Sequence, residues 1–255
     1  MAQNLDPDGE SPQPEPSATG RVDLGRVLRH GIALAWLKRF ALLQAIAMPA
    51  LVVSGFGFLG EDAGVGMMLL GLLAAWLLGA TIAARCHRIA LLDEAPPHWL
   101  ALPDGHAFRL ALWMLLVGLA SAAFALIPMM MLAALLVGAG GSESAAQLTS
   151  LLMLGLMAFL MARFALVAPA AALDQAPGLG KAWRQSEGNF FSLLAIIALP
   201  MFLGGLLGAF TTPGSIASVL VQASVQLFVI PIATCWVSLA YRQVALPAPL
   251  APETD

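Results

Sequence analysis

Between residues 85 and 107 the chain gathers its densest set of side chains able to hold a metal: Cys86, His87, Asp93, Glu94, His98, Asp104 and His106. Zinc or iron would need several of them to converge. The stretch has none of the tight CxxC, HxH or HExxH spacings that force convergence, so it reads as a polar loop, and no metal or other cofactor is expected. A second concentration of chemistry lies at 163–189, RFALVAPAAALDQAPGLGKAWRQSEGN, which joins two long uncharged runs. Arg163 follows an unbroken apolar segment. A charge at the bilayer centre costs roughly 3 kcal/mol on insertion scales, so Arg163 is expected near a span end with its side chain snorkelling to the surface. It reads either as an interfacial anchor or as a contact to a head group or substrate anion, with Asp174 as a partner. Lys181, Trp183 and Arg184 belong to a short amphipathic segment whose tryptophan suits head-group depth. Glu187, three residues after Arg184, is placed to pair with it.

Deeper in the chain the polar groups are sparse. Gln44, Gln222 and Gln226 are the candidate intramembrane contacts, with hydroxyls such as Thr234 and Ser238 beside them. Such groups serve as glue between helices. A transport pathway would use the same residues but usually adds an intramembrane Asp, Glu or His, and the expected spans hold none. Nucleophilic or acid–base catalysis would need a base, nucleophile or metal at depth. The expectation is therefore a chain without an active site.

The elements that carry these residues follow from charge distribution. Sixty per cent of the chain is hydrophobic and 11% is charged, with a mean hydropathy of +0.85, outside the range of soluble domains. Residues 40–60, 63–84, 110–142, 144–162 and 188–241 contain no Asp, Glu, Lys or Arg. About 20 apolar residues cross a bilayer, so the five runs hold six spans, near 41–60, 66–84, 110–137, 146–165, 191–210 and 217–240. The fold class is all-α integral membrane. Residues 1–20 are acidic and proline-rich, which predicts a disordered tail and no cleavable signal. A six-helix domain at 21–242 and a short tail at 243–255 complete the organisation.

Orientation rests on Lys and Arg alone. All twelve fall on one side of this arrangement, and the turns near 60–64, 138–144 and 211–215 hold none. Both termini are thus expected in the cytoplasm, with the chain in a bacterial inner membrane. Contact with membrane lipids, anionic ones included, is the expected partnership; no nucleic-acid partner is expected.

A pattern of Gly, basic or His, small apolar, large apolar, Arg occurs three times, at 25–29 (GRVLR), 105–109 (GHAFR) and 180–184 (GKAWR). Each copy precedes a proline in the next span, Pro49, Pro128 or Pro200, and each unit closes on an arginine, Arg85, Arg163 or Arg242. The landmarks predict three units, about 25–85, 105–163 and 180–242, each an interfacial amphipathic segment followed by a two-span hairpin. An even number of spans per unit makes the repeats parallel, related by a pseudo-threefold axis along the membrane normal.

The run Arg163-Phe-Ala-Leu-Val-Ala-Pro169-Ala, then Asp174, then Gly180-Lys181-Ala182-Trp183-Arg184-Gln-Ser186-Glu-Gly188-Asn189 resembles a bacterial polytopic family. That family is the membrane domain found beside glycerophosphoryl diester phosphodiesterase, together with stand-alone relatives of unknown function. The resemblance is clearest over 150–210. It implies a six-helix inner-membrane protein without catalytic residues of its own, since the hydrolase activity of fused members belongs to a separate soluble domain. The functional expectation is a non-catalytic membrane protein with a lipid- or envelope-related accessory role. The alternative is a small-molecule transporter with a cavity between the three hairpins.

Overall fold

The computed structural model of the chain describes residues 20–59, 64–94, 103–138, 143–175, 178–209 and 216–246, and every regular element among them is helical. Helix α1 (Leu24–Leu37) begins where the Asp23 carboxylate accepts the Arg26 N–H at 3.0 Å, as its N-cap position predicts. At Lys38 the chain bends by 79° into α2 (Arg39–Leu59). Then follow α3 (Val65–Leu92), α4 (Gly105–Gly138), α5 (Glu143–Phe164), α6 (Val167–Ala172), α7 (Leu179–Ser186) and α8 (Phe190–Ala209). The last segment comprises α9 (Ile216–Ser224), a π-helical turn (Val225–Val229) and α10 (Ile230–Ala245). Pro231, at the start of α10, has no N–H to continue the regular ladder, and the wider turn takes up the mismatch.

Five of the helical segments are long and apolar enough to cross a membrane, or six when the bent pair α1–α2 is counted as one span. The chain is a multi-pass, all-helical membrane protein. Its prolines at 49, 128 and 200 all lie inside helices, and α4 runs unbroken past Pro128.

Three expectations about the elements are corrected. The second apolar helix does not stop at residue 84. It continues to Leu92, so Cys86 and His87 are buried helical residues rather than part of a loop. At 1.5 Å per residue, the 28 residues of α3 span about 42 Å, more than the roughly 30 Å hydrocarbon core. Near its polar end His87 is buried against Ser238 of α10 and Ile89 is buried as well, while Leu92 is exposed. The three glycine-to-arginine pentads all open a helix, but not equivalent ones. In α1 the pentad lies in a helix set off by the bend, in α7 in a short helix set off by the turn at Glu187–Asn189, and in α4 at the head of the long helix itself. Among the described residues no separate interfacial segment precedes the second unit. Finally, α1 does not use its apolar stripe on the membrane alone. Val27, Gly31 and Ala35 are buried and the helix packs against α10 in the opposite direction, with Asp23 at Gln243 and Gly31 at Trp236.

Burial is concentrated in one layer of the bundle. In α3 it runs from Ala80 to Ile89, and in α10 from Pro231 to Tyr241, with Leu110 and Ala111 of α4 and five of the six residues of α6 between them. Away from that layer the helices turn Met68, Leu69, Leu72, Leu116, Leu119 and Phe202 outward, the surface a hydrocarbon environment requires. The arginines of the described helices, with Asp93, Glu94, Asp104 and Asp174, sit at the buried layer's end of the bundle, and this positions the site.

Candidate functional site

Helix α6, VAPAAA, is short because its proline is tolerated only in the first turn and its alanines give it almost no side chain. Small residues allow it to enter between α3, α4 and α10, where Ala171 and Ala172 are fully buried. It ends in a Schellman closure: the Asp174 N–H donates to the Ala171 carbonyl at 3.2 Å and the Gln175 N–H to the Ala170 carbonyl at 3.0 Å. The residue at the left-handed position is Asp174, with φ of 60°, where glycine would be unstrained.

The carboxylate accounts for the aspartate. Arg109 Nη1 lies 2.5 Å and His106 Nδ1 3.0 Å from Asp174 Oδ1, and Arg88 Nη1 is 3.7 Å from Oδ2. Arg88 also donates to the Ala172 carbonyl at 2.9 Å and pairs with Glu94 at 2.5 Å. Next to it, the Tyr241 hydroxyl is 2.5 Å from Gln175 Oε1. The node therefore ties the end of α3, the start of α4, the end of α6 and α10 into one polar lock. Exposed pairs contribute little individually. Arg88, however, has only 18% of its side chain exposed, and a guanidinium that sheltered would be costly without its carboxylates.

Arg163 is not Asp174's partner. Its guanidinium carbon stands 4.8 Å from the Trp183 ring centre, 5.2 Å from Phe190 and 5.4 Å from Phe159. Phe159 lies one turn earlier on α5, whereas Trp183 comes from α7 and Phe190 from the start of α8. Arg163 Nη1 donates to Ser186 Oγ at 3.3 Å, and that hydroxyl donates to the Trp183 carbonyl at 2.7 Å. Nε is buried without a hydrogen-bond partner among the described residues. The rings supply the negative π faces that replace water around the cation, so Arg163 clamps α7 onto α5 and α8 instead of snorkelling.

Clamped in this way, α7 turns Ala182 and Ser186 inward and leaves Lys181 and Arg184 exposed, with Trp183 half-buried. Glu187 adopts an extended backbone as the helix stops at Ser186, so the Arg184–Glu187 helical pair does not form. Arg21, Arg26, Arg29, Arg39 and Arg242 are exposed as well, and none of these rim cations has a carboxylate within 4 Å among the described residues.

The metal-capable side chains of residues 85–107 are dispersed. His87 bonds Ser238 Oγ at 2.8 Å inside the bundle, Asp93 pairs with Lys38, Glu94 with Arg88, Asp104 caps Ala107, and His106 joins Asp174. His98 lies outside the described residues. Among the described residues no three His, Cys, Asp or Glu side chains are placed to hold a metal ion. Of the intramembrane candidates, Gln44 is half-buried in α2, while the side chains of Gln222 and Gln226 lie outside the described set. The hydroxyls of Thr234 and Ser238 bond carbonyls one turn back in their own helix at 2.8 Å each, and only Ser238 reaches another helix, through His87.

Sequence reasoning missed the aspartate node and the aromatic box. The one local signal was Phe159 at four residues before Arg163; the other partners come from distant helices. Comparison with known proteins brings no relative: no family model matches the chain, and no curated protein or solved structure matches it significantly.

Proposed function

We propose that this is a non-catalytic protein of a bacterial inner membrane, with both termini cytoplasmic and a lipid- or envelope-related accessory role. The observation that carries the reading is the division of labour on α7. Its arginine-clamped face fixes the helix in place, and its outer face holds Lys181 and Arg184, which have no carboxylate partner among the described residues. Each such cation near an anionic leaflet contributes about 1 kcal/mol of attraction. Two of the histidines are committed to structure, His87 to Ser238 and His106 to Asp174. The resemblance of 150–210 to the membrane domain beside glycerophosphoryl diester phosphodiesterase supports the same assignment. So does the threefold recurrence of a glycine-to-arginine pentad at a helix start, followed by a proline inside a helix, which we retain as three parallel units.

The test is lipid mass spectrometry on protein purified in mild detergent. A Lys181→Ala/Arg184→Ala variant should lose most of the enrichment in anionic phospholipid, about tenfold or more at roughly 1 kcal/mol per charge. Identical lipid profiles for parent and variant would contradict the proposal. Arg163 is left unchanged because its loss would disturb the helix that carries the other two.

A further inference from the structure

A cleft of about 390 Å³ separates α1 from α10, lined by Arg26, Val27, His30, Leu239, Arg242 and Gln243. We infer that it is a binding site for a phosphate group, the head group of an anionic phospholipid or a free phosphate. Two arginines, Arg26 of α1 and Arg242 of α10, line it, and neither has a carboxylate within 4 Å among the described residues. Asp23, the nearest acid in sequence, is committed to the start of α1, where its carboxylate accepts the Arg26 backbone N–H. Two like charges on one cleft repel each other, and an anion between them reverses the sign of that interaction.

The other lining groups are set for the same ligand. The Asp23 N–H donates to Gln243 Oε1 at 3.0 Å, which leaves the Gln243 amide nitrogen as the donor available to a ligand. His30 Nδ1 lies 2.8 Å from the Arg26 carbonyl. A carbonyl only accepts, so the proton is on Nδ1, and Nε2 of the neutral ring is an acceptor that can take a hydrogen bond only from a protonated phosphate oxygen. Val27, 1% exposed, and the half-buried Leu239 give the floor an apolar character that strengthens charge-assisted bonds. The walls are rigid because the Trp236 indole N–H donates to the Leu28 carbonyl at 3.0 Å and its ring closes on Gly31. The volume falls within the roughly 300–1,000 Å³ of small-molecule clefts and so admits a phosphate with part of an attached head group. The residues are distinct from the α7 pair, and only the lipid arm of the test rests on the reading of a rim facing anionic membrane.

The experiment uses the full chain in nanodiscs. In one arm, discs of phosphatidylcholine with phosphatidic acid are analysed by native mass spectrometry for retained phosphatidic acid. In the other, discs of phosphatidylcholine alone are titrated with inorganic phosphate by calorimetry. The parent is expected to bind in at least one arm, and Arg26→Gln/Arg242→Gln to weaken that binding by about tenfold or more, with an unchanged melting temperature because both side chains are exposed. In the phosphate arm, which holds no anionic lipid, Lys181→Ala/Arg184→Ala should bind as the parent does. In the lipid arm it should lower phosphatidic acid retention through the rim, and Arg26→Gln/Arg242→Gln should lower it independently. Phosphatidic acid retained without phosphate binding assigns the cleft to a lipid, and saturable phosphate binding assigns it to a soluble phosphate. No binding in either arm, or equal binding by parent and Arg26→Gln/Arg242→Gln, overturns the inference. A loss confined to the Lys181/Arg184 variant would support the rim reading while overturning the cleft.

Discussion

Arg163→Ala is expected to lower the melting temperature of the detergent-solubilised protein by about 5–10 °C. Three rings approach the guanidinium within 5.4 Å. Cation–π contacts are each worth about 0.5–1 kcal/mol when exposed and about 2 when desolvated. They are not additive, since one cation serves all three, so about 2–3 kcal/mol is the reasonable sum. At about 2–4 °C per kcal/mol for a chain of this size, the stated shift follows. The substitution also leaves a void among Phe159, Trp183 and Phe190 and removes the donor to Ser186. Arg163→Lys should fall between parent and alanine, because it keeps the charge and loses the planar fork. For comparison, Asp174→Asn tolerates the left-handed backbone and removes only the charge from a node 46% exposed at the aspartate, so its effect should be smaller. An alanine variant with the parent's melting temperature would mean that the aromatic box does not hold α7.

The second large effect is expected at Gly31, and here the sign decides. Within an ordinary helix, replacing glycine by alanine stabilises by about 1 kcal/mol. At Gly31 an added Cβ would sit 2.1 Å from Trp236 Cδ1 and 2.8 Å from Nε1, distances no packed pair of atoms can hold. Either the indole turns away, losing its bond to the Leu28 carbonyl, or α1 separates from α10. Gly31→Ala should therefore destabilise by about 1–3 kcal/mol, the range of overpacked sites. It should also speed tryptic cleavage at Arg26 and Arg29. In a Trp236→Leu background the same change should cost far less, a coupling that only direct contact produces. Stabilisation by Gly31→Ala would show that the two helices do not dock this way.

Much of the architecture was legible in residue types. Uncharged runs announce membrane helices because a charge in hydrocarbon is expensive, and Asp23 announces a helix start because its carboxylate can accept an orphan N–H. Less legible was where a helix outlasts the membrane. Arg85 to Arg88 mark the end of an apolar run, yet the helix continues to Leu92, with Ile89 buried by protein and Leu92 exposed at the very end. Helix α6 was invisible for a related reason: six small residues with an early proline have no amphipathic period to read. Asp174 carried a clue in its neighbourhood of alanines, but its partners at 88, 106 and 109 lie 65 to 86 residues away, and no spacing rule joins them. Arg163 was placed correctly at the end of a helix and given the wrong surroundings. The snorkelling expectation assumed water above it, where the fold supplies Trp183 and Phe190.

The chain is expected to present one basic rim to one side of the membrane. Topology reporters fused after residues 62, 142, 213 and 255 test this directly. The first three should report the periplasm and the last the cytoplasm, since the turns before them carry no lysine or arginine. A cytoplasmic signal from any of the three turns, or a periplasmic one from the end of the chain, would contradict it.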